Sequence, residues 1–151
     1  MKCLVITGTT PFPSLGQWAQ RQCAPLWVTT LQSVEEPKAA QSNVIEWISD
    51  LKEYVRSFDL VIAHAGSGVV FELLRNKIEF VCVPNLERRD HHQIELAEFI
   101  SASNYALVMA LADIEKMDVE ELYGVRKSKK SNIFTEKTFF KLDEIVDFFY
   151  E

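Results

Sequence analysis

Cysteine, glycine and positive charge are all scarce in this chain. Cys3, Cys23 and Cys82 stand far apart with no C-x-x-C pair, so neither a disulfide framework nor a zinc knuckle is expected, and a reducing compartment is. They read as small buried residues. Sixteen Lys plus Arg against 22 Asp plus Glu leave a net charge of -6, which argues against a surface that neutralises runs of phosphate and so against general nucleic-acid binding. The longest uninterrupted apolar run, Tyr105 to Ala112, falls far short of the ~20 residues of a membrane helix. Met1 to Thr7 is too short for a secretory signal. A cytoplasmic chain is therefore expected.

Several familiar site patterns are missing too. No G-x-x-x-x-G-K-[ST] occurs, and no G-x-G-x-x-G opens a helix after a strand, which removes the P-loop and dinucleotide fingerprints. Ser67 lies between Gly66 and Gly68, but Ala65 and Val69 break the nucleophile-elbow pattern of serine hydrolases. His91 and His92 are neighbours, and neighbours on a helix point about 100° apart, so no shared metal is expected.

What is present suits an ordinary globular domain. Hydrophobic residues make up 48% of the 151 and charged residues 25%, and a chain of this length buries roughly 70% of its unfolded surface. Leu4 to Thr7, Leu26 to Leu31, Val44 to Trp47, Leu60 to Ala63, Phe80 to Val83 and Tyr105 to Met109 read as short strands. Between them, Ser14 to Cys23, Ile48 to Phe58, Val69 to Asn76 and Asp90 to Ala102 read as helices, the last with Asp90 as N-cap and Gln93 as its capping-box partner. A further helix is expected near Asp113 to Leu122. Strands alternating with helices predict an α/β fold, a Rossmann-like parallel sheet with helices on both faces, whose ligands sit at the carboxyl ends of the strands.

The division along the chain follows composition. Residues 1–123 read as the domain, 124–140 as a basic tether carrying Arg126, Lys127, Lys129, Lys130 and Lys137, and 141–151 as an amphipathic helix with Leu142, Ile145, Val146 and Phe149 on one face. That terminal helix has two homes open to it, its own domain or a partner.

The turn His64-Ala65-Gly66-Ser67-Gly68 is the most informative segment. Glycines at a strand end bring the free N–H groups of the next helix close to a ligand, and those groups with the helix dipole favour phosphate. The turn is thus a candidate anion cradle, or simply a tight turn. Glu72 could support the helix start electrostatically or accept two hydroxyls of a ribose.

From His64 to Ala97 the residues H-A-G-S-G-V-V-F-E, V-P-N, D-H-H-Q and E-L-A resemble the donor-sugar domain of GT-B glycosyltransferases, one half of that fold. The likeness extends to the opening V-I-T-G-T-T-P-F, and the pattern is most similar to the small cytosolic subunits of two-chain enzymes of the dolichol pathway and of bacterial exopolysaccharide synthesis. The resemblance implies Gly8, Thr9, Thr10, Gly66, Ser67 and Gly68 at the donor diphosphate, Glu72 at the ribose, and Asn85, Gln93 and Glu95 lining the sugar pocket. His64 is the catalytic candidate within this chain, but the base that deprotonates the acceptor is implied to lie on a partner. No metal and no tightly bound cofactor are implied, the UDP-sugar being the donor substrate. The implied partners are a membrane-associated acceptor-binding subunit and a polyprenyl-diphosphate-linked sugar acceptor, which would hold the chain peripherally at the inner membrane face, with the basic stretch near acidic headgroups. The function so implied is inverting hexosyl transfer in polysaccharide or glycan-precursor synthesis. A non-catalytic nucleotide-sugar binding or regulatory module is the alternative.

Overall fold

The computed structural model describes residues 1–8, 11–22, 26–30, 44–45 and 50–135, with backbone alone at 26–30 and 44–45. Thr9, Thr10, Cys23, the segment 136–140 and the expected helix at 141–151 lie outside these residues. Six strands form one parallel sheet: β1 (Cys3–Gly8), β2 (Leu26–Thr30), β3 (Val44–Ile45), β4 (Leu60–His64), β5 (Val81–Val83) and β6 (Leu107–Val108), in the order β3-β2-β1-β4-β5-β6. Parallel neighbours need crossover connections, and α1 (Pro13–Gln20), α3 (Ser67–Arg75) and α4 (His92–Ala102) lie in those from β1 to β2, β4 to β5 and β5 to β6; α2 (Leu51–Val55) precedes β4, and α5 (Leu111–Ile114) and α6 (Val119–Ser128) follow β6.

The period of two along each strand sorts side chains onto two cores. Leu4 and Ile6 of β1, Val61 and Ala63 of β4, and Cys82 of β5 face Val55, Val70, Leu73, Leu74, Leu96, Ala97 and Ile100 on α2, α3 and α4. Cys3 and Val5, Leu60 and Ile62, Val81 and Val83 face Leu15, Trp18, Ala19, Ile114, Val119 and Leu122 on α1, α5 and α6. Both faces are covered, which is why these strands read as continuous apolar runs. Cys3 and Cys82 are free and buried as expected, and burial pushes both thiols up to about 12.

The sheet order reverses between β1 and β4, since β2 and β3 extend one way and β5 and β6 the other. Cys3 pairs with Leu60 and Ile6 with Ala63 across that junction, so the ends of both strands, at Gly8 and His64, open onto the crevice where doubly wound sheets place ligands.

Three local expectations change. The expected helix near Asp113 to Leu122 is two helices, because the Asp118 side chain accepts from Glu121 N–H while Glu121 accepts from Asp118 N–H, a capping box that starts α6 afresh. Gly124, expected to begin the tether, lies inside α6. Beyond α6 the chain is still anchored: Asn132 N–H donates to the Asn104 carbonyl at 2.7 Å, and buried Phe134 meets the Tyr105 ring edge-on at 5.6 Å. Arg126, counted with the tether's charges, pairs with Glu79.

Candidate functional site

Three strand ends converge at the junction of β1, β4 and β5. Gly8 closes β1 with a φ of 78°, in the left-handed region that disfavours a side chain. His64 ends β4 beside Val83 of β5, and its ring fills the space between Gly8 and Gly66. A Cβ at Gly8 would overlap His64 Nε2, and one at Gly66 would overlap Cε1. These two positions are glycine because an imidazole occupies the room a side chain would take.

Gly66 is the N-cap of α3, which starts without a side-chain cap. The first helical bond runs from Val70 N–H to the Gly66 carbonyl at 2.9 Å, so the amides of Ser67, Gly68 and Val69 precede the hydrogen-bonded ladder. They stand, with the positive end of the helix dipole, on the same edge as His64. Glu72 is exposed one turn further along α3.

His64 itself is 7% exposed. Burial first, and then the nearby Arg88 charge, push it down from 6.5 to about 4, so the ring is neutral at physiological pH. Its Nδ1 lies 3.2 Å from Gln93 Nε2, whereas its Nε2 is buried with no hydrogen-bond partner among the described residues.

The loop after β5 is built around Asn85, which is 1% exposed. Its Nδ2 donates to the Pro11 carbonyl at 3.0 Å, its Oδ1 accepts from Glu87 N–H at 3.0 Å, and its own N–H donates to Gln93 Oε1 at 3.0 Å. Both ends of the Gln93 amide are therefore bonded within the chain. This corrects the expected capping box at α4. The N-cap is His91, the Asp90 carboxylate is held by Arg88 at 2.6 Å, and Gln93 turns inward because its amide satisfies buried groups that no solvent reaches.

Of the residues expected at the site, Gly8, His64, Gly66, Asn85 and Gln93 are brought together in direct contact, and Ser67 and Gly68 follow on the same turn. Glu72 and Glu95 stand apart, exposed on α3 and α4, and Thr9 and Thr10 lie outside the described residues. Arg88 was not anticipated. The available signal was a cation in a loop after a strand, on the sheet edge where an anion cradle was already expected. The guanidinium holds the Asp90 carboxyl below the usual carboxylate range and acts on His64 through space. Taken together, the free amides of an uncapped helix start and a neutral imidazole meet at this end of the sheet, with the Arg88–Asp90 pair near the ring, and an uncapped helix N-terminus favours an anion.

The sequence profile of the glycosyltransferase family 28 C-terminal domain matches residues 3–147. The chain is similar to the UDP-N-acetylglucosamine transferase subunit ALG13 of Cryptococcus neoformans, 36% identical over 76 residues that cover 49% of this chain and 38% of that protein. It is also similar to the UDP-N-acetylglucosamine--N-acetylmuramyl-(pentapeptide) pyrophosphoryl-undecaprenol N-acetylglucosamine transferase of Campylobacter fetus, 24% identical over 95 residues, 63% of this chain and 28% of that one. A solution structure of ALG13 shares the fold, with a TM-score of 0.59 at 17% identity over 99% of this chain and 98% of that chain. The chain spans less than two fifths of the length of these two curated relatives.

Proposed function

Given that the chain belongs to the glycosyltransferase family 28 C-terminal domain family, we propose that it is the donor-binding subunit of a two-component glycosyltransferase that uses a UDP-sugar, with UDP-N-acetylglucosamine the first candidate. The observation that carries this reading is the meeting of Gly8, His64 and the uncapped start of α3 at the point where the sheet order reverses. The relatives' names supply the rest, since one is called a UDP-N-acetylglucosamine transferase subunit and another acts on a pyrophosphoryl-undecaprenol substrate.

In this reading the amides of Ser67 and Gly68, the His64 N–H and Arg88 neutralise the diphosphate as it departs. Such donors act on the charge that develops in the transition state, where fixed dipoles count most. Glu72 accepts the ribose hydroxyls. Asn85 and Gln93, whose amides are bonded internally, shape the sugar pocket from behind, and exposed Glu95 is the member of that trio free to meet the sugar. Thr9 and Thr10 complete the first loop.

The partner completes the site. An inverting transfer needs a base for the acceptor hydroxyl, and we assign that base to a membrane-associated subunit that binds the lipid-linked acceptor. No helix among the described residues is long and apolar enough to cross a membrane, so the proposed membrane contact is peripheral, through that subunit and through Lys127, Lys129 and Lys130. Calorimetry with UDP, GDP and a panel of UDP-sugars tests the donor assignment; binding of UDP over GDP is expected, and equal or absent binding overturns it. Transfer on addition of the partner separates an enzyme subunit from a non-catalytic nucleotide-sugar module.

A further inference from the structure

We propose that Gln93 is a positioning residue that holds the His64 imidazole in its Nε2–H tautomer, turning one N–H donor toward Gly8, at the strand end beside which a diphosphate would lie. The aim of that donor rests on the donor-site reading above; the tautomer does not.

The chain of bonds fixes the proton. Asn85 N–H needs an acceptor, and the group 3.0 Å from it is Gln93 Oε1. That contact sets the orientation of the amide, because the flipped amide would oppose two donors. Gln93 Nε2 must then face His64 Nδ1, at 3.2 Å. An amide nitrogen only donates, so Nδ1 accepts and carries no proton. A neutral imidazole has one N–H, which is left at Nε2.

Nε2 is where a ligand would need it. The atom is buried, has no partner among the described residues, and belongs to a side chain 7% exposed. Buried donors left unpaired are rare, and ligand binding is one reason a fold keeps them. The ring fills the room that side chains at 8 and 66 would take, so Nε2 lies against the Gly8 end of β1. Burial and the Arg88 charge keep the ring neutral, so a single tautomer is what the bond to Gln93 decides. Gln93 thus acts on the donor through His64.

The test uses the full chain, labelled with 15N-histidine and observed by long-range 1H-15N NMR at pH 7.5. Without ligand, His64 is expected to show an unprotonated Nδ1 and a protonated Nε2. In Gln93→Glu the carboxylate accepts from both Asn85 N–H and the ring, so His64 should switch to Nδ1–H, and UDP affinity should fall about ten- to a hundredfold. Should that variant fail to fold, Gln93→Met removes both bonds at similar size and should turn the single tautomer into a mixture. A wild-type ring with Nδ1–H, or a tautomer indifferent to both substitutions, would overturn the positioning role. A switched tautomer with unchanged UDP affinity would overturn the aim of the donor. No UDP binding by the wild type would sink the donor-site reading, and the ligand-free spectrum would still decide the tautomer.

Discussion

The side-chain amide of Asn85 donates to the main-chain carbonyl of Pro11 at 3.0 Å, joining positions 74 residues apart. One residue thereby ties the loop after β1 to the loop after β5. Replacing Asn85 by Ala leaves the Pro11 carbonyl and Glu87 N–H without their partner. An unpaired buried polar group costs ~1 to 3 kcal/mol, so the variant should lose about that much stability in urea denaturation, and its UDP affinity should fall because two walls of the crevice separate. An Asn85→Ala chain as stable as the wild type would show that the clamp is dispensable.

Glu72 tests the ribose assignment. A carboxylate that accepts two hydroxyls loses ~1.5 to 3 kcal/mol on truncation, so Glu72→Ala should bind UDP about ten- to a hundredfold more weakly. Its exposed position means the fold should be unaffected, which circular dichroism can verify. Unaltered UDP binding would remove Glu72 from the site.

Arg88 separates phosphate from base recognition. Arg88→Gln should weaken UDP by roughly tenfold and flatten the dependence of its affinity on salt, since a charge near the anion is what salt screens. Titrations at low and high ionic strength read both effects. If the two chains lose affinity in parallel as salt rises, Arg88 does not face the diphosphate.

His64 should make stability fall in mild acid. Its native value is lowered from 6.5 to about 4, so between those values the unfolded chain takes up a proton that the native chain refuses. The ring's contribution is intact above about pH 6.5, declines as pH falls, and is lost in full below about 4, a total of ~3 kcal/mol. Urea midpoints for the wild type and His64→Asn, followed from pH 7.5 to 4.5, should diverge in slope. Parallel curves would mean that the ring is not buried neutral.

The terminal segment gives a partner test. Phe134 is buried against Tyr105 and Asn132 bonds to Asn104, so a chain ending at Thr135 keeps these anchors and removes residues 136–151. We expect it to fold and bind UDP yet lose co-purification with the acceptor-binding subunit. Undiminished co-purification would place the interface elsewhere.

What could be read from sequence alone was what is local. The block from Leu60 to Arg75 is one strand, one turn and one helix in succession, and its glycines and apolar spacing sit where the physics needs them. Strands β1, β4 and β5 were legible for the same reason, because both of their faces are covered and each is a short apolar run. Gln93 was not. A capping box is a rule about residues three apart, and it lost to bonds reaching Asn85 and a histidine 29 residues away, which no window on the sequence contains. The break at Asp118 was likewise hidden, although its D-x-x-E spacing is a local signal in its own right.

The packing of one ring between two bare backbones makes the substitutions at these sites interdependent. With His64 in place, alanine at position 66 collides with the imidazole. With His64 reduced to alanine, the same methyl enters space the ring has vacated and becomes filler for a void. The sign of a Gly66→Ala effect on stability therefore reverses with the identity of residue 64, so single substitutions at this corner misjudge pairs, and a screen that scores each position separately would reject the combination that folds.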